Sequence, residues 1–146
     1  MVKRIPKIAP SKGRTIVIEQ SEERPDDLCP VFSFEYMVKG HSVDDLDKDD
    51  QAALAVQLYK LSQLSWKEIK RASRHGFGFE KIRRNDIKAP LPRQITPDVN
   101  FIAFRFNGLK PMVGFRRDRI FFVVWLDHNS VFVNTIFRFF VKTGIV

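Results

Sequence analysis

Apolar and polar residues change their spacing along this chain, and each change predicts a different kind of element. In residues 31–37, Phe32, Phe34 and Tyr36 alternate with Ser33 and Glu35, the period-two pattern of a half-buried strand. Spacings of three and four then place Ala52, Val56 and Tyr59, and Leu54, Leu58 and Leu61, on adjoining apolar faces of a helix ending near residue 61. Ser42, Asp44 and Asp45 are suited to start that helix, with carboxylates in the turn its dipole favours. Ser65 followed by Glu68 is a capping box opening a second helix, which Gly76 should end in a left-handed conformation. Residues 77–82 read as a short strand or extended link, and Pro90 and Pro92 stop any continuation. Strands are expected at 101–106, 110–115 and 120–126, with a tight turn at Asn107-Gly108 and a further strand from Val131. Strand, helices, then an antiparallel meander is an α+β order.

Residues 1–28 mix a basic start with the polar stretch 22–27 and read mostly as a loosely held arm, with a strand-like run at 15–18. Residues 29–146 then form a single domain. With 146 residues and 44% apolar content, the chain suits one core rather than two undersized ones. Cys29 is the only cysteine, so no intrachain disulfide forms and a reducing compartment is expected. The basic start runs into Ile8, Ala9 and Pro10 rather than an apolar signal core, and 120–126 is far short of a membrane span. The expectation is a cytoplasmic protein with no membrane partner.

Several chemistries are disfavoured. There is no phosphate-binding GxxxxGK motif, and Gly76-Phe77-Gly78 lacks the third glycine of a dinucleotide fingerprint. His41, His75 and His128 are not at helical ligand spacing, and Asp44 to Asp50 lack the glycine and closing glutamate of a calcium loop. No metal and no cofactor are expected. Trp66, behind a helix cap, and Trp125, inside an apolar strand, read as core.

Charge alters the picture more than composition does. The chain is +8 formally, but residues 21–50 hold three basic and ten acidic residues, whereas 66–119 hold fourteen basic and five acidic. Lys67, Lys70, Arg71 and Arg74 fall at spacings of three and four along a helix face opposite Ile69. Arg83, Arg84, Arg105, Arg117 and Arg119 extend the set. Arginine forks grip phosphate oxygens, and each neutralised phosphate releases counterions, so RNA is the expected partner. The alternatives are a non-catalytic nucleic-acid or protein adaptor using the face at 66–119, and an acidic segment that neutralises the basic one within the fold.

The run from Phe104 to Arg116, with Asn107-Gly108 and Lys110 inside it, and the strand 120–126 followed by Asp127-His128 resemble the end of the RelE/ParE-like superfamily of bacterial toxins. The likeness covers about a third of the chain. It implies a small antiparallel sheet with two or three helices packed on one face. It also implies a metal-independent endoribonuclease acting on ribosome-bound RNA, and an antitoxin as partner. On that resemblance Lys110, Arg116 and His128 are the catalytic candidates, with a histidine to move a proton and cations to stabilise phosphate charge. His128 stands where the family has arginine, and its late tyrosine has no counterpart, Phe132 occupying that region. Residues 134–141 are unusually aromatic, which suits either a core strand or a partner-facing one.

Overall fold

Asp47, not Ser42, opens the long helix. The Asp45 carboxylate turns back to accept from the Ser42 amide and hydroxyl at 3.0 and 2.9 Å, closing Val43–Asp45 into a 3-10 turn. Asp47 then accepts from the Asp50 amide at 2.8 Å, and α1 runs Lys48–Leu61. Of its two apolar stripes only one meets the core: Leu54 and Leu61 are buried, whereas Val56 and Tyr59 are 50% and 65% exposed. Ser65 and Glu68 form the expected capping box, and α2 runs Trp66–Arg71. It ends early, because Ala72 is already extended, and Gly76 is not left-handed.

The computed structural model describes residues 24–73 and 76–128, together with the backbone of two short strands, β1 (Lys7–Ile8) and β2 (Ile16–Val17), which pair antiparallel. The strand expected from Val131, and Arg74 and His75, lie outside the described residues. The main sheet consists of β3 (Val31–Ser33), β4 (Glu80–Ile82), β5 (Phe101–Asn107), β6 (Lys110–Arg117) and β7 (Ile120–Leu126), in the order β3-β7-β6-β5-β4. The α+β reading holds, but the sheet is mixed rather than purely antiparallel. β3 runs parallel to β7, with Val31 opposite Ile120 and Ser33 opposite Phe122. That pairing follows from connectivity: the helices carry the chain back across the sheet before the meander begins, so β3 and β7 start at the same end.

Two tight turns set the meander. Gly108, with φ of 59°, and Leu109 join β5 to β6, while Asp118, with φ of 54°, and Arg119 join β6 to β7. Glycine and aspartate are among the residues that tolerate this left-handed region best. The β6–β7 ladder slips by one residue between Val113 and Gly114, and there Gly114 lies so close to β7 that a Cβ would sit 1.8 Å from the Phe122 carbonyl oxygen.

Both helices cover one sheet face, where Leu54, Leu61, Trp66 and Ile69 pack on Ile102, Phe104, Met112 and Phe121. On the opposite face, among the described residues, the cover is the long connection between β4 and β5. Ile87 and Ile95, from the connection between β4 and β5, pack there on Phe101, Phe115 and Phe122. Trp125 anchors that connection by donating its indole N–H to the Pro90 carbonyl oxygen at 3.0 Å. Trp66 and Trp125 are both fully buried. No helix among the described residues is long and apolar enough to cross a membrane.

Candidate nucleic-acid interface

Strand direction decides which basic residues meet. β4 and β6 run one way, and β3, β5 and β7 run the other. The chain therefore leaves β4 and β6 at the same end of the sheet, which delivers Arg83 and Arg84 from one and Arg116 and Arg117 from the other. The turn carrying Asp118 and Arg119 lies at that end too, as does the start of β3. Beside it sits the 3-10 turn Pro25–Asp27, packed against α2.

Asp26 holds these pieces together. Its carboxylate accepts from Lys70 Nζ at 2.7 Å and from Arg116 Nη2. Hydrogen bonds from Lys70 and Arg116 lower its pKa to about 2. The Arg116 guanidinium also lies 4.3 Å above the Trp66 ring, a cation–π contact, and its Nε donates to the Asp118 carbonyl oxygen at 2.6 Å. Arg119 Nε donates to the Cys29 carbonyl oxygen at 3.0 Å. Arg83 forms a forked pair with Asp86 at 2.9 and 3.2 Å, and this hydrogen bonding raises its pKa. Arg84 donates to the Thr96 carbonyl oxygen at 2.5 Å and lies over Phe101. Arg117 is exposed, its guanidinium 5.5 Å from the Phe122 ring centre. Each of these six cations has a protein contact that orients it, and Arg83 still has 82% of its side chain exposed. Lys67 and Arg71 are exposed on α2 and make no ion pair among the described residues.

The other end of the sheet has different chemistry. There Lys110 Nζ donates to both Asp50 carboxylate oxygens at 2.9 Å, and Asn107 Nδ2 adds a bond to Oδ1 at 2.8 Å. Burial pushes the Asp50 pKa up, but the bonds from Lys110 and Asn107 prevail and hold it below the ordinary carboxylate value. His128 follows β7 at this end, close enough to Asp45 and Asp50 to help lower both carboxylate pKa values. Lys110 and His128 are thus brought near one another. Arg116 is not, since it lies six positions further along extended β6 than Lys110, about 20 Å away. Arg105, opposite Pro111, lies toward the Lys110 end rather than with the other arginines, and burial lowers its pKa.

The sequence pointed to the cations but missed Asp26 and Asp50, the carboxylates that orient three of them. Its only sign was the acidic block ahead of the basic one. Chemically, the arginine-bearing end can hold phosphate oxygens through oriented forks, and Lys110 is already committed to a buried partner. No cluster able to hold a metal ion occurs among the described residues. No family model, curated protein or solved structure matches this chain.

Proposed function

We propose that this chain is a non-catalytic nucleic-acid-binding module that docks the phosphodiester backbone of RNA on the arginine-bearing end of its sheet. The observation that carries the reading is the convergence of Arg83, Arg84, Arg116, Arg117 and Arg119, with Lys70, on one end of the sheet. Phosphate contacts position a backbone without reading its sequence, so broad sequence tolerance goes with this surface. A RelE-like ribonuclease would need Lys110, Arg116 and His128 around one ribose, and the separation of Arg116 from the other two favours binding over cleavage.

The test is RNA affinity measured over a range of salt. Affinity should fall steeply with salt, and Arg117→Ala should weaken binding and reduce the log–log slope by about 1. Lys48→Ala, at the start of α1 near the Lys110 end, should change neither. No binding at low salt, or equal loss in Lys48→Ala, refutes the proposal. Expression in growing bacteria should leave cellular RNA intact; new cuts that vanish in His128→Ala would restore the ribonuclease reading.

A further inference from the structure

Beside β4, the edge strand among the described residues, lies a groove of about 520 Å³, lined by Lys81, Arg83, Arg84, Pro97, Val99 and Asn100 among others, with no carboxylate among the described residues of its walls. We infer that this groove takes single-stranded RNA, one unpaired nucleotide at a time, as a subsite of the interface proposed above, on which the inference rests.

The strand geometry spaces the cations. Ile82 is buried in the core, and Arg83 continues the extended backbone with φ of −75° and ψ of 140°. Lys81 and Arg83 therefore project to the same side of the edge, about 6.6 Å apart along the chain. Both are exposed, and their separation resembles that of successive phosphates on one sugar–phosphate strand. Arg84 is held by Thr96 at the groove's flank, so its cation is already placed when a ligand arrives.

The remaining wall explains the preference for an unpaired strand. Pro97 and Val99 present apolar surface beside those cations, and Asn100, exposed at the mouth, carries an amide that both donates and accepts. A base face can lie on such a wall only when it is not stacked inside a duplex. The groove has the volume of a small-ligand site and cannot admit a double helix. A purely electrostatic anion patch would need no apolar wall, whereas an unpaired nucleotide uses both kinds of surface.

The experiment compares binding of a short uridine oligomer and an RNA duplex of equal length to the full chain at low salt, with circular dichroism to confirm folding of each variant. The oligomer should bind about tenfold tighter than the duplex. Lys81→Glu and Val99→Asp should each weaken oligomer binding about tenfold and change duplex binding less than about twofold, whereas Arg117→Ala should weaken both. If Val99→Asp proves poorly folded, Lys81→Glu at its exposed position decides alone. Equal affinity for oligomer and duplex, an unchanged oligomer affinity in folded Lys81→Glu, or equally effective competition by polyglutamate would overturn the groove assignment while leaving the wider interface standing. Failure of both RNAs to bind would remove both proposals.

Discussion

Asp26 shows how a single carboxylate organises a basic surface. Its folded pKa of about 2 lies below the ordinary 3.8, so it contributes stability that is fully present above about pH 4 and lost as pH falls toward 2. With partial solvent screening the contribution is about 1 to 2 kcal/mol. Asp26→Asn should therefore lower stability near neutrality and flatten the stability profile between about pH 4 and pH 2, which denaturant titrations at stepped pH would reveal. Asp50 is the more stringent case, because it is 2% exposed and faces Lys110. Lys110→Met strands that carboxylate, at a cost of about 3 kcal/mol or more, which chemical denaturation would register as a lower midpoint. These pairs were not legible in sequence. Asp26 is 44 residues from Lys70 and 90 from Arg116, and Asp50 is 60 from Lys110. Local spacing identifies cations on a helix face, but it carries no information about carboxylates that arrive from another part of the chain.

Local chemistry was most readable where an element supplies its own start signal. Ser65 and Glu68 satisfy each other's backbone amides, and Ser65→Ala should cost about 1 kcal/mol, measurable as a reduced melting temperature. Ser42 carries the same type of signal but closes only a 3-10 turn, since Asp45 folds back on it and Asp47 supplies the helix cap two residues further on. Strand alternation shows which side chains share a face, and it placed β5, β6 and β7 closely. It says nothing about strand direction, so the parallel β3–β7 pair emerged only from the structure. The slip beside Gly114 was equally hidden, because no pattern in sequence marks where β7 gains its extra residue. A methyl group there meets backbone rather than a flexible side chain, so Gly114→Ala should cost more than about 4 kcal/mol and yield little folded protein, as judged by near-ultraviolet circular dichroism.

At the scale of the whole molecule, charge is divided between the two ends of one sheet. The arginine-bearing end gathers cations from α2, β4, β6 and the β6–β7 turn, whereas the other end combines Lys110 and His128 with the acidic start of α1. The sequence displayed basic and acidic blocks, but it took strand direction to convert a block of residues 66–119 into a surface. It also took that direction to separate Arg116 from the two residues grouped with it by family resemblance. The place of β3 in this sheet bears on how the chain acquires its fold. Its ladder partner among the described residues is β7, some ninety residues later, so during synthesis this pairing waits until residues 120–126 have emerged from the ribosome. Closing so long a loop makes the last sheet pairing non-local and slow, and the buried arrangement of Phe121 and Trp66 waits on it. A chain halted before β7 would therefore display unsheltered helices and an unmatched strand, the form in which this protein most needs a chaperone.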